Sequence, residues 1–312
     1  IKDLCTGEIL VVAGKGHESI QDYGKSKKFF SDRDIILKNI KRKNKNLTNE
    51  LKLNIIKEES GQNYFSKIKI KNASINSKEI KKNDIFFAIK GKKKNGNVFL
   101  KEVFKRGASL AIVNKINKRE NIYKQIKVKN SLDFLTKTSS IIRENSLGKI
   151  IAITGSCGKT SLKELLGKSF NKFSQTSFSP KSFNNKYGVP LSLFNLKEKD
   201  DFGIFEVGMD QKGEIDNLTK IIRPDVGVIT NVSYAHIKNF KNIKQIALAK
   251  AEIIENIKEG GSLVLNADDQ FYNLHRKMAF KKKLKVYSFG IKKTNSDIKL
   301  DYVKKIGEKF KI

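Results

Sequence analysis

The chain of 312 residues holds only two cysteines, Cys5 and Cys157. Two such thiols build no disulfide framework, and neither has the spacing of a metal or redox motif. No apolar run reaches 18 residues and no signal-peptide pattern occurs, so no membrane insertion is expected and a cytoplasmic location is. Arginine is scarce: it stands only at positions 33, 42, 106, 119, 143, 223 and 276, although Lys and Arg together number 64. The formal net charge of +32 invites a nucleic-acid reading. Arg, however, is the residue whose fork reads bases and phosphates. Lysine is instead spread over the whole chain among Asn and Ile, as solvated faces in a biased composition would be. We therefore expect no nucleic-acid partner, while anionic small substrates are still attracted. Internal repeats are also lacking. The 38% hydrophobic content is enough for real cores in two or three domains.

What is present is concentrated between Lys149 and Ser161, in the run Lys149-Ile-Ile-Ala-Ile-Thr-Gly-Ser-Cys-Gly-Lys-Thr-Ser161. A short apolar strand enters a glycine turn and then an amphipathic helix. Leu162, Leu165, Leu166, Ser169, Phe170 and Phe173 are expected on its core-facing side. Gly155 and Gly158 let the backbone wrap an anion. The free N–H groups of Ser156, Cys157 and the helix start point at phosphate. Lys159 adds a cation, and the hydroxyls of Thr160 and Ser161 open the helix, Thr160 suited to the shell of Mg²⁺. The pattern is the shorter Thr-Gly-x-x-Gly-Lys-Thr form, with Ile153 where the longer loop has glycine. ATP and Mg²⁺ are the expected cofactors. Cys157 is read as a small residue tolerated in the loop.

Along the chain we expect a strand at Glu8–Ala13 and a Gly-Lys-Gly-His-Glu turn at 14–18 in a first unit, 1–35. A Lys/Asn-rich linker follows at 36–50. A second unit, 51–145, carries strands at 67–71, 84–89, 110–113 and 126–128, with helices at 97–106 and 131–144. A third, 149–312, has apolar strands at 149–154, 202–207, 225–230, 261–265 and 284–289 with helices between them. That alternation predicts an α/β fold: a mostly parallel sheet following a smaller α/β unit, with ligands at the carboxyl ends of strands.

At those ends stand Glu206, placed to hold Mg²⁺, and His236, one of three histidines in the chain. A helix from 242 to 257 carries Ile243, Ile246, Ala247, Lys250, Ile253, Ile254 and Ile257 on one face. Lys250 therefore lies in an apolar stripe. Desolvation favours its neutral amine, which CO₂ converts to a metal-binding carbamate; snorkelling to solvent is the alternative, and the one that spacing alone favours.

These stretches resemble the Mur ligase family. The resemblance rests on 153–161, on Phe183-Asn-Asn-Lys-Tyr-Gly-Val-Pro-Leu191, on Glu206-Val-Gly-Met with Gly213-Glu-Ile, and on Thr230-Asn-Val through Ala249-Lys-Ala-Glu-Ile253 to Leu265-Asn-Ala-Asp-Asp269. Residues 75–113 resemble the N-terminal domain that binds the UDP-sugar. Asn76-Ser77-Lys78, Asn95-Gly96-Asn97 and Lys181-Ser182 depart from the family's Asp-Ser-Arg, Asp-Gly-His and Gly-Asn.

The resemblance implies an ATP-dependent peptide ligase that joins D-alanyl-D-alanine to UDP-N-acetylmuramoyl-tripeptide through an acyl phosphate, acting as a monomer. It implies that Thr160 and Glu206 hold one Mg²⁺, and that His236 and carbamylated Lys250 serve a second. Asn184 and Asn185 would position phosphate or the substrate carboxylate, and Asn266 and Asp268 would lie near the nucleotide. Val11-Val-Ala-Gly-Lys-Gly-His-Glu18 resembles the C-terminal tail of the ligase acting one step earlier, with Gly14 and Glu18 matching residues that contact diaminopimelate. A junction of two fused ligases is the expectation, with the third, closing domain of the second one missing. A folylpolyglutamate synthase-like ligase and a non-catalytic nucleotide- or nucleic-acid-binding protein are the other readings; the 183–191 signature and the second unit speak against the first.

Overall fold

The computed structural model describes residues 11, 20–22, 24, 27–29, 31–32, 35–36, 51–65, 68–91, 94–197, 199–234, 239–292, 296–300, 304–306 and 309–311. Near the start, β1 (Ile20–Asp22) and β2 (Lys27–Phe29) form an antiparallel hairpin. The strand expected at Glu8–Ala13, Val11 aside, lies outside the described residues, as do Gly14, Glu18 and, residue 36 aside, the expected linker.

Helix α1 (51–60) leads into a small sheet. Its strands are β3 (Ala73–Ser74), β4 (Ile85–Phe87), β5 (Leu110–Val113) and β6 (Gln125–Lys127), parallel and in that order. The strand expected at 67–71 is not one over its described residues. Lys71 N–H bonds to Asn83 O and Asn72 N–H to the Asp84 carboxylate, so this segment braces a turn instead of joining the ladder. Gly96–Phe99 is a 3₁₀ turn running into α2 (Leu100–Lys105). The helix α3 (Ser131–Glu144) starts where Asn130 accepts the N–H groups of Leu132 and Asp133, a side-chain cap.

The larger sheet is built from β7 (Lys149–Thr154), β8 (Thr176–Phe178), β9 (Phe202–Glu206), β10 (Val226–Ile229), β11 (Ser262–Asn266), β12 (Lys285–Gly290) and β13 (Ile298–Lys299). The order is β13-β12-β11-β10-β7-β9-β8, and every pairing is parallel. Helices α4 (Lys159–Phe170), α5 (Gly188–Phe194), α6 (Glu214–Ile222), α7 (Ile243–Glu255) and α8 (Tyr272–Lys281) connect the strands. Because helices cover both faces, the central strand β7 is buried from Ile150 to Thr154 and reads as a continuous apolar run. A final antiparallel pair is β14 (Lys304–Ile306) and β15 (Lys309–Lys311). No helix among the described residues is long and apolar enough to cross a membrane.

One helix differs from its expected packing. In α4, Leu162, Leu166 and Phe170 pack on the sheet cluster of Ile151, Ile153 and Ile204 as expected. Leu165 and Phe173, however, are 64% and 72% exposed. The buried side of this helix is Lys163 and Gly167. Gly167 lies against the Phe178 ring, where an added Cβ would come within 2.5 Å of a ring carbon. The helix thus rolls its small residue, not its full apolar set, toward β8.

A single apolar cluster runs through both sheets' helices, from Ile56, Phe87 and Leu135 to Phe194, Phe205 and Ile253. Phe87 and Phe194 meet edge to face with centroids 5.2 Å apart. Asn195, just after α5, grips the edge strand β3: its Oδ1 accepts Ala73 N–H at 2.6 Å and its Nδ2 donates to Ala73 O at 3.0 Å. The amide thus replaces a missing strand neighbour. Asn195→Ala leaves both backbone groups unpaired, and is expected to lower unfolding free energy by about 1–3 kcal/mol in urea titrations.

Candidate active site

Strand β7 ends at Thr154 and the chain turns through Gly155 at φ 147° and Gly158 at φ 80° before α4 begins. Both angles belong to the region that favours glycine. At Gly155 space is also closed: an added Cβ would overlap Thr230 Oγ1. The loop is strapped to the segment after β10. Ser156 N–H donates to Asn231 O at 2.9 Å, Cys157 N–H to Asn231 Oδ1 at 3.0 Å, and Thr230 Oγ1 to Cys157 O at 2.6 Å. Ser156 Oγ accepts from Ser233 N–H at 2.8 Å. Asp269 supports the strap by accepting Val232 N–H. Lys159 is half-buried, its Nζ donating to Gly155 O at 2.7 Å. Ser161 is exposed in the first helical turn.

Glu206, 1% exposed, ends the neighbouring strand β9. Its Oε2 accepts from Thr160 Oγ1 and its Oε1 from Asn184 Nδ2, each at 2.7 Å. Its backbone N–H donates to Ser179 Oγ at 3.2 Å. A hydroxyl and a carboxylate so paired beside a phosphate-binding turn are the hard oxygen donors that Mg²⁺ takes alongside waters and phosphate oxygens. Among the described residues no group of three or more His, Cys, Asp or Glu stands together. A carboxylate and a hydroxyl form a donor set that suits a cation shared with a phosphate ligand.

Asn185, next to Asn184, is exposed and accepts the N–H groups of Tyr187 and Gly188, which starts α5. Lys159, Asn184, Asn185 and Gly208 line a cavity of about 510 Å³ that reaches Glu214 and Leu218. Asn266 Oδ1 accepts Asp268 N–H at 3.0 Å. The Asp268 carboxylate takes Ile291 and Lys292 N–H groups and ties β11 to the turn after β12. His236 lies outside the described residues.

Lys250 does not snorkel. It is 2% exposed on α7, with Ile246, Ala247, Ile253 and Ile254 buried around it. Helix α7 packs against α6, α8, β7 and β10, which leaves its stripe no route to water. Burial, with the like charge of Lys159 second and Cys157 opposing, lowers the Lys250 amine to about 7. Sequence reasoning passed over Thr230, Asn231, Asp269, Ser179 and Lys163. The first three sit in quoted motifs, but their backbone roles show only once strands are adjacent.

Fold and site define a nucleotide-handling α/β domain with a phosphate-binding loop. The Mur ligase middle domain matches residues 153–312, and the chain belongs to that family. Similar proteins include the UDP-N-acetylmuramoyl-tripeptide–D-alanyl-D-alanine ligases of Rickettsia prowazekii (37% identical over 75% of this chain and 52% of that one) and Buchnera aphidicola (32%, 78% and 53%). A crystal structure of MurF from Acinetobacter baumannii is 28% identical over 80% of this chain and 55% of its own, with a TM-score of 0.70. MurF from Thermotoga maritima in complex with ADP is 29% identical over 80% and 56%, with a TM-score of 0.65. The chain spans about half the length of the curated relatives it matches.

The lowered Lys250 value has a testable sign. Between about 7 and the ordinary 10.5, the unfolded chain holds a proton on this amine that the folded chain lacks. Stability therefore rises with pH through that window, and the full cost of burying the charge is felt below it. Lys250→Met is expected to be more stable than wild type at pH 6 by a few kcal/mol, on the order of the shift. That advantage should fade toward pH 10.5 in CO₂-free urea titrations.

Proposed function

We propose that this chain is the nucleotide-binding part of an ATP-dependent ligase that joins D-alanyl-D-alanine to UDP-N-acetylmuramoyl-tripeptide in cell-wall precursor synthesis, acting in the cytoplasm as a monomer. The observation that carries the reading is Thr160 bonded to Glu206 beside the glycine turn of the phosphate loop. The named relatives supply the substrate class. The terminal carboxylate of the tripeptide attacks the γ-phosphorus of ATP, and ADP leaves. The amine of D-alanyl-D-alanine then attacks the acyl carbon of the acyl phosphate, phosphate departs, and an amide remains.

Two anions must meet in the first step, and Mg²⁺ when bound neutralises phosphate charge and orients the γ-phosphoryl group. Gly155, Gly158 and Ser161 wrap the phosphates and Lys159 adds a fixed cation, while Ser156 and Cys157, whose N–H groups are taken by Asn231 and not pointed at phosphate as expected, hold the turn in shape. Thr160 and Glu206 hold the cation, and Asn184 steadies Glu206. The 510 Å³ cavity beside Lys159 and Asn185 receives the peptide carboxylate. His236 and Lys250, the latter as a carbamate, serve a second Mg²⁺; Asn266 and Asp268 shape the nucleotide side.

In this reading residues 51–145 bind the UDP-sugar. A cavity of about 690 Å³ lined by Lys78, Lys81, Arg106 and Lys181, with Glu79 and Asp84 also in its wall and Lys181 paired to Glu79, is where we place the diphosphate. Residues 149–312 are the central ATP-binding domain. Residues 1–35 are the tail of a diaminopimelate-type ligase, Gly14 and Glu18 contacting its amino acid, joined by the linker 36–50.

Lys159→Ala is expected to abolish Mg-ATP binding in calorimetry while leaving the melting temperature within a few degrees of wild type. Unchanged ATP affinity refutes the phosphate-loop assignment. In the complete ligase, Lys250→Ala is expected to lose activity at least a hundredfold. A short carboxylic acid should restore part of it, and bicarbonate should reactivate CO₂-stripped wild type. Full activity of Lys250→Ala without CO₂ removes the carbamate from the reading.

A further inference from the structure

Lys163 is 0% exposed, one helical turn beyond Lys159 on α4. A buried ammonium is tolerated only when its donors are satisfied. Here all three are: Nζ donates to Ser179 O at 2.7 Å and Lys181 O at 2.5 Å, and pairs with Glu164 Oε1 at 2.9 Å. None of these partners belongs to the phosphate loop. Glu164 is the next residue of α4; the two carbonyls belong to the segment that leaves β8 and leads to Asn184.

That segment is held in an unfavourable shape. Lys181 has φ 49°, in the left-handed region where a non-glycine residue is strained. Its carbonyl is one of the two that Lys163 holds. Ser179 in turn is fixed at three points: its N–H donates to Ile204 O at 3.0 Å, its carbonyl accepts from Lys163, and its hydroxyl accepts the Glu206 N–H. Beyond the bend, Asn184 reaches Glu206 Oε1. The path from Lys163 thus reaches Glu206 twice, through Ser179 to its backbone and through the 181–184 bend to its carboxylate. Thr160, on the same helix, takes the other oxygen.

We infer that Lys163 is a positioning residue: by tying the carbonyls of Ser179 and Lys181 to the phosphate-binding helix, it sets Glu206 and Asn184 in register with Thr160 and so fixes the Mg²⁺ site without touching nucleotide or metal. This rests on the reading of Thr160 and Glu206 as the cation's ligands. Removing the ammonium deprives the buried Ser179 carbonyl and the partly buried Lys181 carbonyl of their donor and lets the strained bend relax away from Glu206. Nucleotide phosphate contacts from the loop itself stay in place.

The test is ADP binding by calorimetry in this chain, with EDTA and over a Mg²⁺ titration. Lys163→Met is expected to leave metal-free ADP affinity within twofold and to raise the Mg²⁺ concentration for half-maximal tightening at least tenfold. Ser179→Ala, which removes only the hydroxyl under Glu206, should raise it at least threefold. A folded Lys163→Met with wild-type Mg²⁺ dependence overturns the inference; if Lys163→Met does not fold, wild-type Mg²⁺ dependence in Ser179→Ala overturns it. Glu206→Gln separates the two readings. If it raises the Mg²⁺ requirement while Lys163→Met does not, only the role of Lys163 fails. If Glu206→Gln itself leaves the requirement unchanged, the metal assignment fails and the inference with it.

Discussion

A buried carboxylate must be met on every side, and Glu206 sets the terms for the whole site. Its two oxygens and its backbone N–H draw on Thr160, Asn184 and Ser179, three residues on two segments that flank β8. Leaving any one of them out strands polar atoms where water does not reach. Strand β9 can therefore end where it does only when α4 and the 179–184 bend are both seated. The phosphate loop obeys a parallel constraint on its other side, where Gly155 gives way to the Thr230 hydroxyl and the loop's N–H groups and carbonyls are shared with residues 230–233. Between these two sets of bonds the turn has little freedom, and a rigid, donor-rich turn is what a polyanion binds well.

Charge at the site is governed by burial far more than by the chain's +32. Most lysines are solvated and screened over a distance of about 8–10 Å. Three are not. Lys159 stays at the loop, Lys163 is consumed by backbone carbonyls and Glu164, and Lys250 is enclosed by α7 and its neighbours. Lys159 and Lys250 feel each other, which is part of why the Lys250 amine is easily left neutral. The same helix face that would be repelled as an ammonium becomes chemically useful as an amine.

Much of this was legible because it is periodic or spaced. The apolar runs at β7, β9, β10, β11 and β12 and the stripe on α7 stand within a residue or two of where their patterns place them. Glycine spacing marks the loop, the end of a strand marks Glu206, and the motif at 183–191 marks the two asparagines. The illegible parts have physical reasons. Three-residue β8 is too short to show alternation. Helix α4 misled because a glycine against the Phe178 ring and a lysine bound to carbonyls turn inward, while two apolar side chains stay out. Lys163 has no periodic or motif signal, since its partners are backbone atoms that any sequence supplies. Lys250 was spotted, but its enclosure follows from four elements packing around α7, which no single stripe reveals.

The order of the large sheet also governs how the chain assembles. Strand β7 lies between β9 and β10, whose residues arrive about fifty and seventy-five positions later. Its most apolar stretch is thus made early and finds its hydrogen-bonding neighbours late. Parallel pairing across such separations demands loop closure before any contact repays it, so acquisition of the sheet is slow compared with that of its helices. During synthesis, Ile150–Thr154 would remain an unpaired, adhesive edge until β9 is complete, and this is the interval in which the growing chain is most vulnerable to aggregation.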